Sequence, residues 1–334
     1  MILHVFVASL TLKYKINRTK GLFGASYKKV LKCSWIVKFQ VPGDMAKDIL
    51  KVGGFTIKKR IGSGARSTIY LATDHQTHTD VALKRIIFER PEDVRVFEQT
   101  ENEYKVAQRV NHPYVRKCYK LKKIRTMLKV NEMLLSMELF DGKSLQDVPT
   151  LSLVDVLLVF RMVASGLNAM HGEGFIHCDI KPNNILMGKA GSIKIIDLGQ
   201  SCKIGTTKRR IQGTPAYIAP EQVRRKPLGP TTDIFNLGAT MYWALTGKNV
   251  PTLIHKNNRT LIPKKNALGA ATTRNYPAPH ELKKGIPIEI SRLVMDCVKD
   301  KPVQRPPNMM TLISRLDMVI HSLLGSKIKT NKHA

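Results

Sequence analysis

The sequence predicts an α+β fold in two parts, a small N-terminal sheet with one helix and a larger, mostly helical C-terminal part. Two observations carry this prediction. Before about Leu145, short runs of alternating apolar and polar residues are separated by turn residues, which is typical of strands. After it, apolar residues recur at helical spacing over long segments. The chain has 334 residues, 43% of them hydrophobic, so it has ample material for a core.

Five strands and one helix are predicted in the N-terminal part. The strands cover residues 55–61, 68–73, 81–87, 120–129 and 132–139, and the helix covers about 92–109. In the second part, helices are predicted at residues 151–170, 231–245, 288–298 and 308–324. The longest stretch without Asp, Glu, Lys or Arg runs only from Ile234 to Gly247. A span needs roughly 18 to 20 apolar residues, so we expect no transmembrane segment.

The net charge is unusually large. The chain has 55 Lys+Arg against 25 Asp+Glu, a formal charge of +30. The cations concentrate in residues 1–43, 113–131 and 201–274. Such zones are either solvated, solubilising surface or surfaces that attract nucleic acid, acidic protein or anionic lipid. Composition does not choose between these interpretations.

The two ends of the chain are basic and carry no recognisable motif. Residues 1–44 have no clear period, and we expect a disordered arm or an extension that results from a mis-assigned start before Met45. Residues 324–334 are expected to be a frayed basic tail. The five cysteines are odd in number and scattered, which favours reduced thiols and a cytoplasmic protein over a disulfide framework.

A glycine-containing turn, Gly62-Ser63-Gly64, stands between the first two predicted strands. Small residues let backbone N–H groups approach a phosphate closely, although two glycines in a hairpin are more often an ordinary turn. The order strand, turn, strand argues against a dinucleotide-binding fold. Lys84 ends an apolar strand nearby, and we expect it to reach the same phosphates.

The strongest signal is the segment 177–184, followed by 193–199. Asp179, Lys181 and Asn184 lie close together in the first segment, and Asp197 ends an apolar strand in the second. Phosphoryl transfer to a hydroxyl needs oxygen ligands for Mg²⁺, a carboxylate to deprotonate the hydroxyl, and cations to offset charge on the transferring oxygens. These residues supply all three kinds of group.

With these motifs the chain resembles a eukaryotic-type (Hanks-type) serine/threonine protein kinase, of the kind also found in bacteria, from about Gly53 to Leu323. The resemblance implies a bilobal protein kinase-like fold, with an N-lobe at about 53–140 and a C-lobe at about 141–323. It implies ATP and Mg²⁺, with Mn²⁺ as an alternative metal, and protein substrates. Lys181 and the Thr214-Pro215 pair resemble the serine/threonine-specific pattern and not the tyrosine-specific one.

The resemblance also assigns catalytic and metal-binding roles. It makes Asp179 the catalytic base, Lys181 the lysine that contacts the transferring phosphate, and Asn184 and Asp197 the metal ligands. Lys84 would hold the α- and β-phosphates.

The partner carboxylate of Lys84 is expected to be Glu103, with Glu101 as a rival on the same helix. Further nucleotide contacts are expected from the turn, from the hinge with Met137 as gatekeeper, and from an apolar slot around the base: Ile61, Gly62, Gly64, Ile69, Ala82, Met137, Glu138, Phe140 and Leu186.

Two family contacts are expected to support this site, and two positions depart from the family pattern. Glu221 should pair with Arg305, and Asp233 should brace the catalytic loop. Cys178 stands where many kinases have an arginine, which puts regulation by activation-segment phosphorylation in doubt. Ser67 stands at the third glycine position of the turn.

Other readings stay open alongside an active kinase. The alternative is a pseudokinase or a nucleotide-binding scaffold with a basic partner-binding surface. The charge alone also suggests association with nucleic acid. The thirteen cations of residues 201–274, set against only Glu221 and Asp233, favour acidic protein substrates or partners over nucleic acid.

Overall fold

The structure of the protein, a computed structural model, describes residues 50–64, 66–126, 129–254 and 276–330; of residues 325–330 it describes the backbone only. The expected N-terminal extension, 1–44, and the last residues of the expected tail, 331–334, lie outside this described part. So do Ala65 in the glycine turn, residues 127 and 128 in a predicted strand, and the cations of residues 255–275.

The N-terminal part is a six-stranded antiparallel sheet in the order β1-β2-β3-β4-β6-β5. Its strands are β1 (Lys51–Val52), β2 (Phe55–Gly64), β3 (Ser67–Asp74), β4 (Asp80–Ile87), β5 (Cys118–Thr126) and β6 (Lys129–Met137). The prediction of five strands missed β1, because two residues are too few to show alternation. Register places Ala82 opposite Met137 and Ile69 opposite Lys84.

One helix, α1 (Asp93–Ala107), accompanies this sheet. Its buried residues include Phe97, Thr100, Glu103 and Val106, a spacing of three that keeps them on one face. That face packs against β4, β5 and β6 and against the turn at residues 198–200. Glu103 therefore points inward although it is charged.

The catalytic segment is held by very short strands. β7 (Gly142–Ser144), β9 (Ile185–Gly188) and β10 (Ile193–Ile195) form a three-stranded sheet. β8 (Phe175–Ile176) pairs with β11 (Cys202–Lys203). These strands hold residues 177–184 and 196–201 side by side between them.

The rest of the described chain is helical, as predicted. The helices are α2 (Leu153–Gly172), α3 (Pro220–Val223), α4 (Pro230–Thr246), α5 (Pro279–Leu282), α6 (Ile288–Cys297) and α7 (Met309–Thr330). The predicted end of the last helix, Leu324, was wrong by six residues; the following segment contains no proline that would end the helix. The two-part α+β prediction is confirmed.

Helix α2 is, within the described residues, the one helix whose length and hydropathy would let it cross a membrane. Half of that stretch is buried inside the fold, which is also how an interior helix of a globular domain looks. Its buried residues, among them Leu157, Phe160 and Leu167, belong to the main hydrophobic cluster. This cluster continues into the N-terminal sheet through Ala82 and Met137 and places the candidate site at the junction of the two parts.

Candidate active site

A buried ion pair joins the sheet to α1. Lys84 Nζ donates to Glu103 Oε2 at 2.7 Å, and the Glu103 side chain is only 2% exposed. The rival Glu101 pairs instead with Lys123 at the surface. A second cation, Arg116 Nη2, lies 3.8 Å from the other Glu103 oxygen. Each oxygen of the buried carboxylate therefore faces a cation.

The charges of this cluster set the protonation of its members. Burial by itself lowers the pKa of the Lys84 ammonium, but the carboxylates of Glu103 and Asp197 outweigh it and raise this pKa. Burial likewise tends to raise the pKa of Asp197, and the charges of Lys84, His177 and Lys181 outweigh it and lower that pKa. Both groups are therefore ionised at neutral pH.

The Asp179 carboxylate accepts hydrogen bonds at both oxygens. Oδ1 accepts from the Thr214 amide at 2.9 Å and from the Thr214 hydroxyl at 2.8 Å. Oδ2 accepts from Lys181 Nζ at 2.9 Å and from Gln200 Nε2 at 3.2 Å. Asn184 Nδ2 donates to the Asp179 carbonyl at 2.9 Å. Asp179 is thus fixed in one orientation between the catalytic loop, residues 177–184, and the substrate-side loop, residues 213–221.

Asn184 and Asp197 have the donor chemistry of a Mg²⁺ site. The Asn184 amide nitrogen is turned toward Asp179, and this orientation leaves its carbonyl oxygen available as a ligand. Asp197 has φ 64°, a left-handed conformation that is costly for a residue with a side chain and is found at functional sites. One carboxylate and one amide oxygen suit Mg²⁺, which takes its remaining ligands from phosphates and water. The residues present therefore fit the metal.

A second buried carboxylate holds the catalytic loop by its backbone. Asp233, on α4, accepts from the amides of His177 and Cys178, each at 2.8 Å, and from His171 Nε2 at 2.9 Å. Burial tends to raise the pKa of Asp233, but the His171 hydrogen bond and the nearby histidines outweigh it and lower that pKa. Asp233 has the bracing position expected for it.

The substrate-side loop is anchored by a buried ion pair. Arg305 donates through two nitrogens to Glu221, at 2.7 and 2.9 Å, and also to the Thr231 carbonyl. The Arg305 guanidinium lies 4.9 Å from the centre of the Phe235 ring. Each guanidinium nitrogen of Arg305 donates a hydrogen bond, so the buried charge is satisfied. The loop is therefore firmly attached to the helices.

The hinge residues lie at the end of β6. Met137 is fully buried. The Glu138 side chain accepts from Lys194 Nζ at 2.7 Å and from the Lys117 amide at 3.2 Å. The Phe140 ring packs against Gly142 and Gly188, where an added Cβ would lie within 2.7 and 2.8 Å of it. The hinge is thereby tied to the second sheet through side chains.

The remaining expected nucleotide residues lie on β2, β3, β4 and β9. Gly62 pairs with Ile69 across β2 and β3, and Gly64 pairs with Ser67 at the end of the same ladder. Ala82 is buried, whereas Ile69 and Leu186 are half-buried and Ile61 is 44% exposed. Ile61 and Ile69 thus keep apolar surface accessible beside the buried Ala82, as a site for the apolar face of a ligand requires.

Sequence reasoning missed several residues of this site, and the most informative is Asn102. Its amide nitrogen donates to the carbonyls of Gly199 at 3.2 Å and Ser201 at 2.8 Å. Gln222 donates to the Cys178 carbonyl at 2.7 Å. Gln200 reaches Asp179, as described above. The only sequence signal is that each lies next to a motif residue.

The two-lobed fold, with a strand lysine paired to a helix glutamate above a loop carboxylate, defines the kinase class of proteins. A family model described as the protein kinase domain matches residues 55–315, more than half of the chain. The chain belongs to the protein kinase domain family, and the resemblance drawn from its motifs is confirmed.

Curated relatives agree with this membership. A probable serine/threonine-protein kinase of Clostridium acetobutylicum is 28% identical over 79% of this chain and 40% of its own length. A putative serine/threonine-protein kinase of Saccharomyces cerevisiae is 29% identical over 70% of this chain and 24% of its own. A probable serine/threonine-protein kinase of Dictyostelium discoideum is 27% identical over 80% and 52%. The chain thus spans about half or less of the length of these relatives.

Proposed function

We propose that the protein transfers the γ-phosphoryl group of ATP to serine or threonine hydroxyls of protein substrates, with Asp179 as the catalytic base. The observation that carries this proposal is the Asp179 carboxylate, held by Lys181 and Thr214 beside Asn184. A carboxylate held in a fixed orientation, with an ammonium group beside it, is what deprotonation of an incoming hydroxyl requires. The kinase names of the relatives support the same reaction.

Each residue has a separate task in the proposed mechanism. Asp179 orients the acceptor hydroxyl and takes its proton. Lys181 bridges Asp179 and the Thr214 hydroxyl, so its charge stands where the transferring oxygens become more negative. Lys84, fixed by Glu103, holds the α- and β-phosphates.

ATP and Mg²⁺ are implied by the family. Asn184 and Asp197 would hold the metal, with Mn²⁺ as the alternative. When bound, the metal neutralises phosphate charge and orients the γ-phosphate for in-line attack. The raised pKa of Lys84 and the lowered pKa of Asp197 support this assignment, because both side chains carry the charge that phosphate and metal need.

The test uses γ-labelled ATP with Mg²⁺ and a mixture of acidic and basic protein substrates. The wild type should label substrate, and Asp179→Asn and Lys84→Met should not. Phosphoamino-acid analysis should find phosphoserine or phosphothreonine. A wild type that gains thermal stability with ATP and labels nothing is a pseudokinase, and our proposal would then be wrong.

The substrate proposal extends to charge. Five cations between β11 and α4 are exposed: Arg209, Arg210, Arg224, Arg225 and Lys226. Arg224 among them pairs with Asp300. They flank the loop that carries Thr214, where a peptide would dock, and this supports acidic substrates. Nucleic acid remains a second candidate partner, and a DNA affinity that does not change with salt concentration would eliminate it.

The cellular location belongs to the same proposal. The four cysteines of the described residues are free thiols, which supports a reducing compartment, the cytoplasm.

A further inference from the structure

Two thiols face each other behind the catalytic loop. Cys178 Sγ and Cys202 Sγ are 3.5 Å apart. Cys178 directly precedes Asp179, and Cys202 begins β11, whose partner strand β8 ends two residues before Cys178. Both sulfurs pack with Ile176 and Leu228 in a small apolar cluster. The pairing of β8 with β11 holds the two cysteines at this separation.

We propose that Cys178 and Cys202 are a peroxide-reactive pair that forms a reversible disulfide linking the catalytic loop to the segment after Asp197. A disulfide bond is about 2.05 Å long, so the sulfurs need to approach by only about 1.5 Å. A rotation of the two side chains with a small shift of the short strand supplies such a movement. The other two cysteines of the described residues, Cys118 and Cys297, belong to the main hydrophobic cluster and not to this one.

The two thiols differ in a way that suits a two-step oxidation. Cys202 is partly exposed, whereas Cys178 is fully buried. A hydrogen bond from the Cys178 thiol, together with the charge of Lys208, lowers the pKa of Cys202. By contrast, burial raises the pKa of Cys118 and of Cys297 to about 12. Cys202 is therefore the thiol that meets the oxidant, and Cys178 is the resolving thiol.

The oxidant is a hydroperoxide. The Cys202 thiolate attacks one peroxide oxygen, the O–O bond breaks, and the leaving alkoxide takes the proton released by Cys202. This step gives a sulfenic acid on Cys202 and an alcohol, or water from hydrogen peroxide. The Cys178 sulfur then attacks the Cys202 sulfur, and the S–O bond breaks. Hydroxide leaves with the Cys178 proton as water. Two thiols lose two electrons, and the peroxide gains them.

The disulfide would change the active site, an inference that rests on the proposed function. The backbone of Cys178 is fixed on both sides, by Asp233 at its amide and by Gln222 at its carbonyl. Most of the approach must therefore come from the Cys202 side. Gln200, two residues before Cys202, donates to Asp179 and would move with it. Displacement of about 1 Å near a catalytic group costs roughly tenfold or more in rate.

The test treats the reduced full-length chain with hydrogen peroxide in a Cys33→Ser background, because Cys33 lies outside the described residues. Peptide mass spectrometry should find Cys178 linked to Cys202 with the loss of two hydrogen atoms, and a thiol reductant should reverse the link. Cys178→Ser should stop at a sulfenic acid on Cys202, trapped with dimedone. Cys202→Ser should leave Cys178 unoxidised. Equal melting temperatures of the reduced proteins show that the variants fold.

Three results would overturn the proposal. These are no Cys178–Cys202 link in the folded wild type, a link of either residue to Cys118 or Cys297 instead, or no trapped sulfenic acid in Cys178→Ser. The phosphoryl-transfer rate is measured separately. It should fall roughly tenfold in the linked wild type and recover on reduction, while peroxide leaves Cys202→Ser unchanged. Unchanged activity of linked protein overturns the inhibitory effect. If the reduced protein has no activity, the proposed function fails, and the mass measurement still decides the disulfide.

Discussion

Glu101 and Glu103 are two residues apart on α1 and differ in what they contact. Glu103 is buried against Lys84, whereas Glu101 pairs with Lys123 at the surface. We expect Glu103→Gln to lower the rate of phosphoryl transfer by roughly 100-fold, because Lys84 loses the charge that positions it. Glu101→Gln should change the rate by less than about twofold, since a surface pair contributes little. Steady-state kinetics of the two variants decide this, and equal losses would contradict the assignment.

Asp93 gives a pH prediction. Hydrogen bonds from Arg66 and from the Glu89 amide lower the pKa of Asp93 to about 2. The carboxyl is thus a stronger acid in the folded protein than in the unfolded chain, where its pKa is about 3.9. Its stabilising contribution is complete above about pH 4 and is lost as the pH falls toward 2. The melting-temperature difference between wild type and Asp93→Asn should shrink over this interval. A difference that is constant with pH would contradict the prediction.

At the scale of elements, Asn102 connects α1 to the segment that follows Asp197. Its amide donates to the carbonyls of Gly199 and Ser201, so the helix that carries Glu103 is tied to the segment that carries Asp197, the proposed metal ligand. Asn102→Ala should lower activity more than stability, with a stability loss of about 1 to 3 kcal/mol from the lost hydrogen bonds. Lys105→Ala, an exposed change on the same helix, is the control. Activity that falls only in proportion to the folded fraction would contradict this coupling.

The ion pair that anchors the substrate-side loop can be compared with one at the surface. Arg305→Met leaves Glu221 buried without its partner, and we expect a loss of about 3 to 5 kcal/mol in the free energy of unfolding. Arg315 pairs with Asp296 where both side chains are about a third exposed, so Arg315→Met should cost about 0 to 1 kcal/mol. Urea denaturation measures both. Similar losses would mean that the buried pair does not anchor the loop.

Sequence predicts those elements and site residues whose signal lies within one continuous segment of the chain. The main helices and strands have a period, and Asp179, Lys181 and Asn184 occur within one short motif. β1, β8 and β11 have two residues each, too few for a period.

Sequence also does not predict which residues far apart along the chain come into contact. Cys202 lies outside the motifs that the sequence shows, and only the pairing of β8 with β11 brings it to Cys178. Sequence favoured Glu103 but left Glu101 as a rival, because the two are only two residues apart on the same helix. Burial distinguishes them.

At the scale of the whole molecule, the net charge of +30 includes cations beside the proposed substrate site and cations elsewhere on the surface. Arg209 and Arg210 are exposed beside the loop that carries Thr214, whereas Lys283 and Lys284 are exposed after α5. If acidic substrates dock beside Thr214, reversing both charges at 209 and 210 to Glu should raise the KM for an acidic peptide several-fold. Reversal at 283 and 284 changes the net charge equally and should have little effect.

Ionic strength provides an independent check on the same proposal. Exposed charges separated by about 10 Å are largely screened at 0.1 M salt. The KM of the wild type for an acidic peptide should therefore rise with salt, while that for a neutral peptide should not. If the reversal at 209 and 210 and the reversal at 283 and 284 change the KM for an acidic peptide equally, only the overall charge of the protein matters.

Asp233 holds the catalytic loop through the amides of residues 177 and 178 and not through their side chains. Any residue other than proline offers the same amide. The position before Asp179 can therefore carry other side chains without loss of these two hydrogen bonds, within the limit that its φ of 67° sets for bulky side chains. A cysteine at position 178 costs the loop none of its anchoring, and the chain can acquire a new chemical property there while the carboxylate next to it stays in place.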